Sequence, residues 1–232
     1  MTTTTKARKP RRARRGDPKQ AILAAALVHV PFDGFTDKVL ERAAKDAGVA
    51  RAEIARHFPE GPLSLVGAFS EFADAEMALL LARAKLSTMK VRERIALAVK
   101  TRIAVLRPYK EAARRAAAFL TLPPNATTGV KLLYNTVDAI WRATGDTSTD
   151  FNFYTKRAIL AGVYSTTLMR WFSDTSDDEE ITNTFLQRRI DNVMQFEKFK
   201  AQMRERASGL PSLSEIFNPA RRETRGRRPG RA

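Results

Sequence analysis

Apolar residues recur at helical spacing along almost the whole chain from Pro18 onward, and no alternation typical of strands lasts longer than a few residues. Ser176 and Glu179 also have the spacing of a capping box in front of the last helical segment. The pattern predicts helices over residues 18–30, 37–47, 50–57, 63–87, 91–106, 110–122, 127–143, 148–171 and 178–206. The sequence therefore predicts an all-α fold whose core is built from the apolar stripes of these helices.

The first four helices are bounded by residues with strong positional preferences. Pro31 is predicted to end the first helix, and Thr36 is predicted to cap the second through its hydroxyl group. Gly48 suits the left-handed position after a helix, and Pro62 suits the first turn of the fourth helix. Two short helices that are joined by a glycine turn and preceded by a longer helix form a helix-turn-helix pattern over residues 18–62.

This N-terminal pattern resembles the N-terminal domain of TetR-type regulators over about residues 18–70. The residues that carry the resemblance are Gly34, Phe35, Ala43, Ala44, Ala47, Gly48, Val49, Ile54, His57 and Phe58. The resemblance implies a TetR-like helical fold, in which an N-terminal helix-turn-helix is followed by a larger C-terminal helical bundle.

The charge of this region does not favour nucleic acid as a partner. Residues 20–60 carry five basic and six acidic side chains, whereas a DNA-binding face has to offset the charge of the phosphates. TetR-like regulators usually have a lysine just after the aromatic turn, where this chain has Glu60, Gly61 and Pro62. Nucleic acid is therefore not expected, although a TetR-family DNA-binding repressor with a hydrophobic effector stays open as the alternative function.

The basic charge is concentrated at the two ends of the chain. The net charge is +16; residues 1–19 carry eight basic side chains against Asp17, and residues 220–232 carry six arginines against Glu223. Such segments cannot bury enough apolar surface to fold, so residues 1–17 and 220–232 are predicted to be disordered tails. Their charge would attract an anionic membrane surface or nucleic acid, or would simply keep the protein soluble.

The residue content argues against catalysis and against metal binding. The chain has no cysteine, and its two histidines, His29 and His57, lie far apart in the sequence. No nucleotide-binding loop, nucleophile elbow or metal-ligand spacing is found, and the acidic run at residues 173–180 lacks the glycine and glutamate of a calcium loop. We therefore expect no enzyme activity, no catalytic residue, no metal and no cofactor. No apolar run reaches the roughly 18 residues of a membrane span, and no secretory signal follows the N-terminus.

The densest cluster of aromatic and charged residues lies at the start of the predicted helix at residues 148–171. Phe151, Phe153 and Tyr154 are interleaved there with charged and amide side chains. Exposed rings flanked by arginine and lysine are typical of the energetically dominant part of a protein–protein interface. The alternative is that some of these rings simply pack against a neighbouring helix.

The second half of the chain resembles the ninth COQ family, whose members are accessory proteins of ubiquinone biosynthesis with a TetR-like fold. The resemblance extends over about residues 18–200. It is carried by Leu122, Pro123, Pro124, Asn125, Asp138, Ile140, Trp141, Gly145, Asp146, residues 150–157, Thr184, Phe185, Leu186, Arg188, Arg189 and Ile190. The family usually has a tryptophan where this chain has Phe153, which keeps the aromatic ring but loses the indole N–H donor.

The resemblance implies a non-enzymatic, all-helical homodimer. Residues 63–207 would form the ligand-binding and dimerisation bundle, with an isoprenoid quinone or a phospholipid as the bound lipid. The residues expected to contact this lipid are Trp141, Leu160, Tyr164 and Leu168. A scaffold that binds proteins and holds no ligand is a third reading.

The resemblance also implies a partner enzyme, the demethoxyubiquinone hydroxylase, to which the protein would present a quinone intermediate. The residues expected to face this partner are Asp150, Asn152, Phe153, Tyr154, Lys156 and Arg157.

Residues 208–219 can form a short amphipathic helix beside the basic C-terminal tail. Leu210, Leu213, Ile216 and Phe217 share one face of this helix. An apolar face next to basic residues favours an anionic membrane surface, although docking on the protein's own core is also compatible with it. With the resemblance in view we expect a bacterial cytoplasmic protein that is peripheral on the inner membrane, or one on the mitochondrial matrix face if the protein is eukaryotic.

Overall fold

The computed structural model describes residues 17–147 and 151–208, with side chains for residues 17–147 and 153–195. Within these ranges the chain forms nine α-helices and four short 3-10 helices and no strand, which confirms the predicted all-α fold. The α-helices are α1 (Pro18–Asp33), α2 (Asp37–Asp46), α3 (Arg51–His57), α4 (Pro62–Leu81), α5 (Val91–Leu106), α6 (Lys110–Thr121), α7 (Ala126–Ala143), α8 (Phe151–Phe172) and α9 (Glu180–Ser208). The 3-10 helices are Leu86–Thr88, Arg107–Tyr109, Pro123–Asn125 and Asp177–Glu179.

Helix α1 does not end at Pro31, as predicted, but continues through it to Asp33. Pro31 lies in the last turn, where its missing N–H removes only one hydrogen bond from the helix. Gly34 ends the helix instead, because its N–H donates to the carbonyl of Val30 over 2.9 Å while its φ is 71°. Glycine adopts such a positive φ without the steric cost that a Cβ atom brings.

The predicted signals at the borders of α2 and at the start of α4 are confirmed. Thr36 Oγ1 accepts a backbone N–H of the first turn of α2 over 3.2 Å, Gly48 follows α2 with a φ of 67°, and Pro62 opens α4. Helix α4 ends at Leu81 and not at residue 87, because residues 82–94 contain no buried side chain. Packing of an apolar face stabilises most protein helices more than intrinsic propensity does, so the helix stops where its packing stops.

Helix α4 is the central helix of the bundle. It packs against α5 and α7, and α7 in turn packs against α6 and α8. Met77 of α4 and Trp171 of α8 have no exposed surface. Aromatic rings join the N-terminal helices to this bundle, since the ring of Phe35 lies 6.5 Å from that of Phe69 in α4 and 6.2 Å from that of Phe119 in α6. Helices α1 and α2 and the bundle therefore share one core.

The chain divides into two compact units, Met1–Gln187 and Arg188–Ala232, and the division falls within α9. The sites described below lie in the first unit. None of the described helices is long and apolar enough to cross a membrane. Asp17, which was predicted to belong to the tail at residues 1–17, caps α1 by accepting the N–H of Lys19 over 3.0 Å. Outside the described residues lie the rest of that tail, the predicted tail at 220–232 and the expected membrane-binding residues Leu210, Leu213, Ile216 and Phe217.

Candidate functional site

The bundle contains an apolar cavity of about 140 Å³ that is lined by residues of α4, α5, α6, α7 and α8. Several wall residues on α6, α7 and α8 are partly exposed, so the cavity opens to the surface. Apolar side chains of the wall include Val66, Phe69, Leu106, Leu120, Leu132 and Leu133. A concave site with such a wall favours an apolar ligand.

One end of the cavity is polar and is organised by Arg102, which is only 4% exposed. Its Nε donates to Asp74 Oδ1 over 2.7 Å, and its Nη1 donates to the hydroxyl of Tyr164. Its Nη2 donates to the hydroxyls of Ser70 and Thr136, each over 3.2 Å. The hydroxyl of Thr136 in turn donates to Asp74 Oδ2 over 3.1 Å. We call these five residues the polar cluster.

The polar cluster is neutral as a whole, because the carboxylate of Asp74 balances the guanidinium of Arg102. A buried arginine requires such a partner, since an unpaired charge in the protein interior is strongly unfavourable. Burial, the largest effect, raises the pKa of Tyr164, and the nearby guanidinium offsets only part of the rise. The hydroxyl of Tyr164 therefore keeps its proton at neutral pH and is available for hydrogen bonding.

Two of the four residues expected to contact lipid, Tyr164 and Leu168, lie on the cavity wall. Leu160 is 3% exposed and Trp141 is half-buried, but the wall includes neither of them. Trp141 Nε1 donates instead to the carbonyl of Lys156 over 3.3 Å, and the ammonium of Lys156 lies 5.4 Å from the indole ring. Trp141 therefore ties α7 to α8, because its only polar atom is used in that contact.

The sequence-based expectations did not include Arg102, Asp74 or the other hydroxyls of the polar cluster. A signal for Arg102 is nevertheless present in the sequence, because this charged residue falls in register with the buried stripe of α5. The members of that stripe are Ile95, Ala98, Val99, Ile103 and Leu106. A charge at a core position indicates a buried partner, since arginine is almost never fully buried unless it is paired.

A second feature, the aromatic patch, consists of Phe153 and Tyr154 at the start of α8. Tyr154 is 66% exposed, and its ring packs edge-on against the half-buried ring of Phe153 with the centroids 5.1 Å apart. Asp150 and the side chain of Asn152, which were expected to face a partner, lie outside the described residues. Among the described residues, the aromatic patch thus offers one exposed ring that is supported by a second one.

Arg157 was expected to face a partner, but it is buried, with 3% of its surface exposed. Its Nη2 lies 2.6 Å from Asp138 Oδ1, and its Nη1 lies 3.4 Å from Asp146 Oδ2. Its guanidinium also lies 3.3 Å from the ring centroid of Phe153. Lys156 is half-buried and places its Nζ 3.0 Å from Asp146 Oδ1. The expectation was wrong for Arg157, because its guanidinium pairs with Asp138 and Asp146 inside the protein. There it also contacts the ring of Phe153 in the aromatic patch.

Both arginines of α3 lie close to acidic side chains of the N-terminal helices. Arg51 Nη2 is 2.5 Å from Glu41 Oε1, and Arg56 Nη1 is 4.0 Å from Glu53 Oε2. Each arginine of α3 therefore has an acidic neighbour in α2 or α3, which offsets the positive charge that phosphate binding requires.

The arrangement of the helices defines the class of the protein. Among solved structures the chain is similar to a TetR transcriptional regulator from Nitrosomonas europaea ATCC 19718, with a TM-score of 0.60 and 20% sequence identity. The match covers 75% of this chain and 97% of that regulator. The chain is thus an all-α protein with a TetR-like fold and an apolar cavity within its helical bundle.

Sequence comparison then identifies the relatives. The COQ9 family model matches residues 126–197. The chain is 34% identical over 196 residues to the mitochondrial ubiquinone biosynthesis protein COQ9 of Rattus norvegicus, and 32% identical over 195 residues to that of Homo sapiens. Each match covers 82% of this chain but only 62% and 61% of the two relatives, respectively, so the chain spans less than two thirds of their length. The predicted resemblance to the COQ9 proteins is therefore confirmed over most of this chain.

Proposed function

We propose that this chain acts in ubiquinone biosynthesis as a non-catalytic protein that holds an apolar ligand and presents it to an enzyme. The ligand would be a quinone intermediate or another isoprenoid lipid, and the enzyme would be the demethoxyubiquinone hydroxylase. The observation that carries the proposal is the apolar cavity, which opens to the surface and ends in the neutral polar cluster. The names of the COQ9 relatives support the pathway.

The size of the cavity indicates how such a ligand would bind. Its volume of about 140 Å³ is below the roughly 300 Å³ at which typical ligand pockets begin. A long isoprenoid molecule would therefore place one end in the cavity and leave the rest outside the opening. This mode of binding suits the transfer of a lipid, because few contacts have to break before the ligand is released.

The chemistry of the polar cluster supports binding without catalysis. Asp74 and Arg102 neutralise each other, and burial keeps the proton on Tyr164. A general acid or base works best when its pKa lies near the operating pH, whereas the pKa of Tyr164 is raised further above it. The polar end of the cavity is therefore suited to hydrogen bonding and not to proton transfer.

The aromatic patch and the cavity are connected by one helix. Tyr154 and Tyr164 both lie on α8, and ten helical residues span about 15 Å. A hydroxylase docked on the aromatic patch would thus lie close to the polar end of the cavity. A homodimer on an anionic membrane surface, at the bacterial inner membrane or on the mitochondrial matrix face, completes the proposal.

The function is tested by deleting the gene in the protein's own cells and then supplying the wild type or a variant. Removal of the chain should cause demethoxyubiquinone to accumulate and ubiquinone to fall, as measured by mass spectrometry of extracted quinones. Ala117→Trp adds a large ring at a partly exposed position of the cavity wall and should fail to restore ubiquinone. Ala118→Trp, at the next position of α6 but exposed and outside the wall, should restore it.

Two results would contradict the proposal in different ways. Equal restoration by Ala117→Trp and Ala118→Trp would show that the cavity is not needed. Unchanged quinones after removal of the whole chain would show that the protein does not act in this pathway.

A further inference from the structure

The hydroxyl groups of Ser70 and Tyr164 have a common arrangement at the polar end of the cavity. Both residues line the cavity, and both hydroxyl oxygens accept an N–H from Arg102. An oxygen that accepts from the guanidinium turns its own proton away from it, because a hydroxyl has one proton and two lone pairs in separate directions. Within the described residues neither hydroxyl has an acceptor for that proton.

The remaining groups of the polar cluster are already committed to each other. Thr136 donates its hydroxyl proton to Asp74, and Arg102 uses four of the roughly five N–H donors of a guanidinium on Asp74, Tyr164, Ser70 and Thr136. Asp74 also cancels the charge of Arg102 at a distance of 2.7 Å. The polar end of the cavity thus offers hydroxyl protons as hydrogen-bond donors and carries no net positive charge.

We propose that Tyr164 and Ser70 determine the ligand specificity of the cavity by donating hydrogen bonds to a neutral oxygen, such as a carbonyl or ether oxygen, of an apolar molecule. The inference rests on the proposed function, in which the cavity holds an apolar ligand, and it adds the chemical group by which that ligand is chosen. Asp74, Arg102 and Thr136 act as positioning residues, because they hold the two hydroxyl oxygens so that the protons point away from the guanidinium.

The same arrangement disfavours an anionic head group. A carboxylate or phosphate in the cavity would lose its hydration shell and meet a guanidinium whose charge Asp74 already balances. A neutral carbonyl oxygen loses much less hydration and gains a hydrogen bond from a protonated phenol or alcohol. The cavity therefore selects a polar but uncharged acceptor at the end of an apolar body.

The test compares three probes that share a ten-carbon chain and differ in the head group. Decylbenzoquinone carries neutral carbonyl oxygens, decylbenzene carries no acceptor, and decanoate carries a charge. Their affinities for the full-length chain would be measured by titration calorimetry below the concentrations at which the probes aggregate. We expect decylbenzoquinone to bind about three- to tenfold more tightly than decylbenzene, as one net hydrogen bond predicts, and decanoate to bind more weakly than decylbenzoquinone.

Two variants test whether the hydroxyls of Tyr164 and Ser70 cause this preference, and a third variant is the control. Tyr164→Phe removes one oxygen and keeps the ring, so it should lower the affinity for decylbenzoquinone by about three- to tenfold and leave that for decylbenzene unchanged. Ser70→Ala should reduce the same preference, and it decides the question if Tyr164→Phe fails to fold. Tyr134→Phe removes the hydroxyl of an exposed tyrosine on α7 that lies outside the cavity wall, and it should change neither affinity.

The outcomes separate this inference from the proposed function. If no probe binds the wild-type chain, the cavity is not a ligand site and the proposed function fails. If decylbenzoquinone and decylbenzene bind equally and the variants change neither affinity, the cavity binds apolar molecules but the hydroxyls do not select them. Tightest binding of decanoate would overturn the inference as well, because it would show that Arg102 selects an anion.

Discussion

Arg102 occupies a position of α5 at which helical periodicity favours an apolar side chain. Its acidic partner, Asp74, lies 28 residues earlier in the chain, and Tyr164 lies 62 residues later. Periodicity predicts which face of α5 is buried, but it carries no information about which distant side chains meet there. The polar cluster could therefore not be predicted from the sequence, although an arginine within a buried stripe indicated that a partner was needed.

The pairing of Arg102 predicts a large stability effect for the loss of its partner. Asp74→Ala leaves a buried guanidinium without its counter-charge, and it should lower the free energy of unfolding by about 3 kcal/mol in urea denaturation. Glu71→Ala is the matched control, because Glu71 lies in the same helix and forms an ion pair with Lys19 but has an exposed side chain. It should cost less than about 1 kcal/mol. A similar loss of unfolding free energy in both variants would show that the ion pair of Arg102 does not account for the effect of Asp74→Ala.

The residues at 150–157 illustrate what a motif reveals and what it omits. The cluster of rings and charges was found by its composition, yet composition does not separate Tyr154, which is 66% exposed, from Arg157, which is 3% exposed. Burial of Arg157 depends on Asp138 and Asp146, which come from α7 and from the loop that follows it. Exposure is thus a property of the packed helices and not of the motif.

This difference predicts opposite effects for two alanine variants. Tyr154→Ala should leave the midpoint of thermal unfolding nearly unchanged and weaken binding to the hydroxylase in a pull-down assay. Arg157→Ala should lower the free energy of unfolding by about 2 kcal/mol, because it removes the buried guanidinium that pairs with both Asp138 and Asp146 and leaves them only their more exposed basic partners. The assignment is wrong if Tyr154→Ala destabilises the protein as strongly as Arg157→Ala does.

At the scale of elements, the junction between α8 and α9 differs from the predicted capping box. Asp174, and not Glu179, organises the turn: its carboxylate accepts the backbone N–H and the hydroxyl of Ser176 and also those of Thr182, over 2.5 to 2.8 Å. Glu179 instead binds Arg107 and accepts the indole N–H of Trp171 over 2.8 Å. The spacing was correct for a capping box, but a buried carboxylate nearby provides better hydrogen bonds.

The hydrogen bonds of Asp174 predict a dependence of stability on acid. Burial alone would raise the pKa of this carboxyl, but the hydrogen bonds from Ser176 and Thr182 outweigh that effect and hold the pKa far below its usual range. A carboxyl whose pKa is lowered by folding contributes stability above its unfolded value of about 4, and this contribution is lost as the pH falls further. Unfolding free energies should therefore decrease between about pH 4 and pH 2.

Asp174→Asn isolates this contribution, because the amide cannot ionise. We expect the variant to be less stable than the wild type at pH 7, by roughly 1–3 kcal/mol, and to lose less stability on acidification. Urea denaturation at several pH values measures both effects. Parallel pH curves for the two proteins would contradict the role of Asp174.

At the scale of the whole molecule, helical periodicity was sufficient for the all-α fold, and the quoted motifs were sufficient for the relation to the COQ9 proteins. The cavity could not be predicted from the sequence in the same way. Its wall draws on five helices, and only their packing shows that Leu168 faces the cavity while Leu160 does not. Both residues were expected to contact the lipid, so the sequence alone could not separate a wall residue from a core residue.

The TetR-like fold also does not decide the function by itself. The regulator from Nitrosomonas europaea shares the arrangement of helices at 20% identity, which shows the fold alone. In this chain Arg51 and Arg56 of α3 have acidic neighbours, whereas the bundle provides a cavity that opens to the surface. The observations therefore favour a role for the bundle over a role for the N-terminal helices.

The central claim, that the cavity between α4, α5, α6, α7 and α8 holds an apolar ligand, is tested most directly on protein purified from cells. Organic extraction followed by mass spectrometry should release isoprenoid quinone or another lipid from the wild type and from Ala118→Trp. The amount released from Ala117→Trp should be lower, because the new ring competes with the ligand for the cavity. A wild-type protein that is free of lipid, or an equal amount of lipid in Ala117→Trp, would contradict the claim.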